Sequence, residues 1–326
     1  MWPPCQSRRH ALACTYHADR RTGAARVIVL GIILAVVASI AFASGATAQH
    51  RGIDKVVGPG GDRHMSLRRV LQMLRTPVWL LGLVLIGVGA TLHLIALKLA
   101  PLTVIQPLGI MAVPWSVLLA ARLKRQRPGR MIWVSVAVTV AGIVTFTIFS
   151  TTHATTKPDL TNLPRLWLFT GAVWGLAVLF GFGGRFGLSW LRCLSWAWGG
   201  AALYGLGSGF IKNLIEILSG PSPLAHPMLW VSIVGLATAY TIGGWMIQQG
   251  YASGPAEIVV GSMTTVDPLT SVLFGLFVLG EGAAITVPAA IGMLVAGSIA
   301  CAGVVLLSRH HPDAHRQYQE PAEAEA

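Results

Sequence analysis

Residues Gly254–Glu281 read GPAEIVVGSMTTVDPLTSVLFGLFVLGE. The run is long enough to cross a bilayer, which takes about 20 mostly apolar residues. Yet Asp267 stands near its middle and Pro268 follows at once. A carboxylate at that depth costs about 2.5–3.5 kcal/mol on insertion scales, and a proline inside a helix leaves a carbonyl one turn back without its donor. In lipid such groups persist only where they are buried in protein or line a wet cavity. The stretch therefore reads as a broken helix lining a pathway, and the remaining helices as its frame.

The same stretch has a partner earlier in the chain. Pro101 and Pro255 each open an apolar segment, and thirteen residues later stand Pro114 and Pro268, followed by WSVLLA and LTSVLFG. Further on, Val140-Ala141-Gly142 matches Val295-Ala296-Gly297. The pattern predicts an internal repeat, Trp79–Phe149 against Trp230–Leu307. The helix-breaking positions it singles out are Pro101, Pro107, Pro114, Pro255 and Pro268.

Composition sets the class. The 326 residues are 54% hydrophobic and 11% charged, with mean hydropathy +0.65, whereas soluble domains carry about 25% charged residues. The expectation is an all-α polytopic membrane protein with nine or ten transmembrane helices. Nine spans are expected at 27–48, 77–97, 102–121, 131–150, 164–182, 194–218, 228–249, 255–279 and 286–307. The first has a rival reading as a signal peptide, because Ala46-Thr47-Ala48 resembles a cleavage site. The basic loop that follows favours a retained helix. A basic, irregular tail is expected over 1–26, with Met65 as an alternative start, then a first repeat over 27–150 and a linker over 151–163. A second repeat is expected over 164–308 and a polar tail over 309–326. The four cysteines have neither paired nor metal-ligand spacing.

The net charge of +12 sits mostly in short loops, where it sets orientation rather than binding nucleic acid. Gln49–Thr76 carries six Lys or Arg and Arg122–Arg130 carries five. The opposite loops have Lys98, Lys157 and Arg165 and almost nothing in Ser219–Pro227. The positive-inside rule then gives a cytoplasmic C-terminus in the plasma or inner membrane, and the two repeats run in opposite directions. Inverted repeats are a common construction of secondary transporters, with the substrate site near the midplane.

Asp267 is the leading candidate for a pathway residue, either binding a cation or proton or capping the second half of a broken helix. Lys212 and Glu216 are four residues apart on one helix face, with Asn213 beside them. Either they form a charged pair facing a cavity or they snorkel outward. Glu257 reads as a pathway carboxylate or as an interfacial acid at a helix start. His93 and Gln106 are polar groups within apolar runs, and a lone histidine there is commonly a packing residue. Tyr204 and Tyr251 suit a cavity wall or an interfacial anchor. Gly205-Leu206-Gly207-Ser208-Gly209 reads as a helix-packing face. No phosphate-cradling Gly-Lys-Ser loop is present, which argues against an ATP-driven pump.

Several stretches together carry a family resemblance: FASGATAQHRGI over 42–53, WLLGLVLIGVGATLHLIALKLAPLTVIQPLG over 79–109, GSGFIKNLIE over 207–216, and the long Asp267 span ending in LFGLFVLGE. The chain resembles the drug/metabolite transporter superfamily (EamA-like), and is similar to its NIPA-type magnesium transporter branch. That resemblance implies an all-helical fold from a duplication, with alternating access. It departs from the superfamily pattern in one place. Leu-Gly-Glu closes the second half at Gly280-Glu281, but the first half has Arg122-Leu123-Lys124-Arg125.

The expected function is transport of a small solute by alternating access. The alternative is a magnesium or other divalent-cation transporter or channel using Asp267, Glu257 and Glu216 as oxygen ligands. A non-transporting membrane protein is the weaker alternative. No enzyme activity and no cofactor are expected. The expected partners are the lipid bilayer and a small-molecule or ion substrate, with no nucleic acid, and the chain acting as monomer or homodimer.

Overall fold

The structure is a computed structural model, and it describes residues 8–57, 75–123, 125, 127–154, 158–254 and 256–309. Pro255 and the polar C-terminal tail from His310 onward lie outside the described residues, as do the first seven residues and Met65. The described residues form ten α-helices: α1 Arg8–Val57, α2 Pro77–Leu99, α3 Leu102–Gly109, α4 Ala112–Leu123, α5 Arg130–His153, α6 Leu163–Phe186, α7 Ser189–Leu218, α8 Met228–Ser253, α9 Ala256–Phe277 and α10 Val287–Arg309. Eight segments are long and apolar enough to cross a membrane, α3 and α4 together making one of them. The sixth expected span, 194–218, coincides with α7, which has the length at 30 residues. Its glycines, serines and tryptophans keep it out of the eight. The protein is an all-helical, multi-pass membrane protein.

Two expectations are corrected. The basic N-terminal stretch is not irregular throughout, because α1 reaches back to Arg8. Its many Ala and Arg residues are among the better helix formers. More important, the chain does not break at Asp267-Pro268. Pro268 lies inside α9, which runs unbroken from Ala256 to Phe277. A proline removes one ladder donor, and α9 keeps its course because it is pressed closely against α7 on either side of that point. The break falls instead in the first half, where Ile110 and Met111 separate α3 from α4. There Pro107 and Pro114 delete two donors seven residues apart. The chain turns through tight bonds from Ile110 N–H to the Pro107 carbonyl (3.2 Å), Met111 N–H to Leu108 (3.1 Å) and Val113 N–H to Ile110 (3.1 Å).

Close helix approach at glycine sets the packing, as expected where small residues let backbones meet. The antiparallel α1–α2 pair meets at Gly31 beside Ala96 and Ala100, Gly45 beside Gly82 and Ile86, and Gly52 beside Trp79. The antiparallel α7–α8 pair meets at Gly200 beside Gly243 and Ile247, Gly207 beside Tyr240, and Gly235 beside Phe210. Thus α1 is built into the bundle, and its Ala35, Ala38, Ser39 and Ala43 are buried. The last helices of the two halves, α5 and α10, pair antiparallel, with Gly142 against Ala296 and Ala300, Thr139 against Gly303, and Phe149 against Gly292.

These pairings fix direction. The C-terminal ends of α2, α7 and α9 and the start of α3 gather at one end of the bundle, the Glu281 end, where α8 also begins. α2 therefore runs toward that end and α8 runs away from it, so the two halves have inverted direction. The other end holds the basic Arg122–Arg130 segment and the start of α9, and is termed the Arg127 end. A single large core joins the halves, including Leu102, Val104, Ile105, Leu203, Leu206, Phe210 and Phe274.

Candidate functional site

Two polar clusters interrupt this apolar bundle, both on the faces of α7 and α9. The first surrounds Asp267, which is partly buried. Ser271, one turn later, donates to the Asp267 carbonyl (3.0 Å) and to the Gly205 carbonyl of α7 (3.1 Å), with its hydroxyl 3.4 Å from the Asp267 carboxylate. A Cβ on Gly205 would run into the Asp267 carbonyl and Thr270, and one on Gly209 into the Phe274 ring. The glycine run of α7 is thus the packing face anticipated from sequence. Tyr204 and Tyr240 lie with ring centroids 5.2 Å apart and planes tilted by 38°, both within electrostatic reach of the Asp267 carboxylate. Tyr240 also bonds Ser208. A carboxylate, two phenols and two hydroxyls converge here from three helices. This donor set is all oxygen, suited to a hard cation that keeps part of its water or to the polar group of a small solute.

The second cluster lies at the Glu281 end. Lys212, only 3% exposed, donates to the carbonyls of Leu97 and of Ala100, the latter at 3.1 Å. Those carbonyls end α2, where the helix dipole favours a cation. Lys212 also pairs with Glu216 at 2.7 Å. The pair forms at the i,i+4 spacing, with the Lys212 side chain buried and that of Glu216 23% exposed. On the other side of the Ala100-Pro101 corner, Glu281 accepts from the backbone N–H groups of Leu102 (2.7 Å) and Thr103 (2.9 Å). An anion thus caps the start of α3, and Glu281 itself is only 1% exposed. Buried charges need compensating partners: Lys212 has an ion pair and two carbonyls, and Glu281 has two backbone N–H groups.

Glu281 is held from behind. Its own N–H bonds the Gly275 carbonyl at 2.9 Å, and the Leu279 carbonyl accepts from Asp159 N–H at 2.8 Å. Gly280 turns with φ +67, the left-handed region that glycine adopts without penalty. Asp159 bonds Thr161 through both backbone N–H (3.0 Å) and hydroxyl (2.6 Å). Those bonds hold its carboxyl below the usual carboxylate range.

The remaining expected residues separate. Asn213 donates to Ser232 of α8 at 2.8 Å, tying α7 to α8. His93 lies edge-on to Phe42 of α1, centroids 6.3 Å apart, the packing role. Gln106 is buried in α3. The side chain of Glu257 lies outside what is described. Of the proposed divalent ligand set, Glu216 is engaged by Lys212 and Asp267 sits in the other cluster. Among the described residues no three His, Cys, Asp or Glu side chains come together as a metal cage. Clefts of about 280 to 630 Å³ open along α6, with mainly apolar walls.

Sequence reasoning did not place Glu281 among the site residues. Its available signal was a lone carboxylate directly after a glycine at the end of an apolar span, noted there only as the close of Leu-Gly-Glu.

Comparison with known proteins gives two findings. Residues 26–173 match the family described as magnesium transporter NIPA. The chain is also 22% identical over 256 residues to an uncharacterized protein of Corynebacterium glutamicum, covering 78% of this chain and 86% of that one. No solved structure matches. The family match runs from α1 into α6, so it takes in His93, Gln106 and the α3–α4 break. Lys212, Glu216, Asp267 and Glu281 lie beyond it, and their roles rest on geometry alone.

Proposed function

We propose that the protein is a membrane transporter that moves a small solute by alternating access between its two inverted halves, with Asp267 in the binding site. The observation that carries this is the Asp267 cluster. It is an ionisable residue within a membrane span, facing the bundle rather than lipid, with phenol and hydroxyl oxygens from two other helices beside it. Intramembrane carboxylates so placed belong, as a rule, to substrate and ion pathways. The inverted directions of the α1–α2 and α7–α8 pairs fit the construction in which one half rocks against the other.

The NIPA match favours a second, narrower reading, in which the cargo is magnesium. Magnesium is commonly bound through one or two carboxylates while keeping several waters. A single carboxylate with hydroxyl and carbonyl neighbours suits a partly hydrated ion in transit better than a closed all-protein cage. On this reading Asp267 is the anionic contact, and Lys212 is kept from repelling the ion by Glu216 and Glu281. The density of Lys and Arg at the Arg127 end supports a cytoplasmic location for that end and for the C-terminus. A C-terminal reporter fusion in a cell membrane tests that orientation.

The deciding experiment is flux into vesicles holding the purified protein, followed with an internal magnesium-sensitive dye, for wild type beside Asp267→Asn. Wild-type magnesium entry that the variant lacks supports the magnesium reading. Proton movement driven by an added organic solute, without magnesium entry, supports the broader reading and removes the narrower one. Neither signal from a folded wild-type protein rejects both.

A further inference from the structure

Lys212 and Glu281 do more than satisfy two buried charges. Both belong to the second half of the chain, and both hold the same corner of the first half. Lys212 reaches residues 115 and 112 positions away in sequence, and Glu281 reaches residues 179 and 178 away. Together they grip the end of α2 and the start of α3 on either side of Pro101. Each bond is charge-assisted, roughly twice as strong as a neutral one, and each falls on a helix terminus whose dipole adds to it. The grip sits beyond the Asp267 cluster toward one end of the bundle. Lys212 is seven residues past Gly205 on α7, about 10 Å along the helix at 1.5 Å per residue.

Among the described residues the other half shows no equivalent grip. Glu281 stands thirteen residues after Pro268, and thirteen residues after Pro114 stands Arg127. An arginine has no acceptor to offer a helix N-terminus, and Arg127 is exposed. An inverted repeat would place a second grip at the start of α9, and by this spacing Arg127 stands where its anion would be.

We infer that Lys212 and Glu281 form a one-sided latch between the halves, closing the pathway from Asp267 toward the Glu281 end. This rests on the alternating-access reading above. Polar groups suit such a latch better than an apolar plug. When this end opens, water takes over the bonds to Lys212, Glu281 and the helix termini, so the closed state is favoured without being irreversible. A transporter must cross between its two faces, so the two closures need comparable free energies. The latch biases the resting population toward the state closed at the Glu281 end.

The test reads accessibility and needs no substrate. A cysteine is placed at Ser208, one turn before Lys212 on α7, in a protein whose own cysteines are replaced. It is then labelled in vesicles with a membrane-impermeant maleimide from each side in turn. The expected result is slow labelling from the Glu281 side that rises about tenfold or more in Glu281→Gln and again in Lys212→Gln, the shift that losing a charge-assisted bond brings. Labelling from the opposite side should fall or stay the same. Lys212→Arg, which keeps the charge and the donors that reach the Leu97 and Ala100 carbonyls, supplies a second measurement, and its labelling should stay near the wild-type rate. Equal labelling in wild type and in folded latch variants, or labelling that rises as much in Lys212→Arg as in Lys212→Gln, overturns the latch. If the vesicle flux assay fails while labelling responds, the transport reading falls and the latch stands. If flux is present and labelling does not respond, only the latch falls.

Discussion

The α3–α4 segment and α9 occupy matching places in the two halves and open with the same thirteen-residue proline spacing, yet they solve the proline differently. The first half breaks: two prolines seven residues apart, with Gly109 between them, leave too few donors to carry a helix through Ile110 and Met111. The second half has one interior proline and stays continuous, braced against α7 at Gly205 and Gly209. The half that breaks carries no ionisable side chain between Pro101 and Pro114. The half that stays whole carries Asp267 in its middle. A second contrast follows from the same pair. The start of α3 is capped by a buried carboxylate from across the bundle, while the matching position in the first half is a solvated arginine. The same proline spacing thus frames both segments, while the deep carboxylate Asp267 and the buried cap Glu281 both stand in the second half.

This contrast can be broken most decisively at the caps. Glu281→Ala leaves the buried N–H groups of Leu102 and Thr103 without their acceptor, and should cost about 1–3 kcal/mol for each donor left unsatisfied. Arg127→Ala should stay within about 0.5 kcal/mol, as exposed sites do. Chemical unfolding of the solubilised protein compares the two, and equal effects would dissolve the asymmetry. Next in size is the brace. Gly205→Ala drives a methyl into the Asp267 carbonyl and should cost about 1–3 kcal/mol as overpacking. Gly109→Ala and Gly261→Ala meet open space and should gain up to about 1 kcal/mol from helix propensity.

The prolines sharpen the comparison on a smaller scale. Pro268→Ala restores an interior ladder bond in α9, a gain of about 1 kcal/mol in thermal unfolding, with slower exchange between states. Pro114→Ala should change stability little, because Pro114 lies in the first turn of α4, where the missing N–H is tolerated. The smallest effect belongs to Asp159, whose carboxyl is held below its ordinary range by Thr161. That contribution is complete above the usual carboxylate range and is lost as pH falls through the lowered folded value. Acid titration of wild type against Asp159→Asn should therefore differ slightly and only at low pH.

Much of the fold was readable before any coordinates. The all-helical class, eight of the nine expected spans, the opposed directions of the two halves and the glycine packing face of α7 all follow from apolar run length, loop charge and small-residue spacing. The site was readable in part. Asp267 and Tyr204 stand out because ionisable and aromatic groups inside apolar runs are costly, and the Lys212–Glu216 pair follows from helical spacing. The Asp267 break was not correct, because proline states only that one donor is missing. Whether a helix ends there depends on what presses against it.

What the sequence alone determined is that this chain crosses a membrane many times, in two oppositely directed halves, with one carboxylate deep in the second. These are local or periodic properties: bilayer thickness sets run length, and lipid penalises charge at each position separately. What only the tertiary structure decided is who meets whom. Glu281 caps a helix 178 residues away, Lys212 closes another, and the expected three-carboxylate ligand set does not assemble among the described residues. Such long-range pairings are chosen by packing of whole helices, at glycine contacts and helix ends, and no local pattern in the chain encodes them.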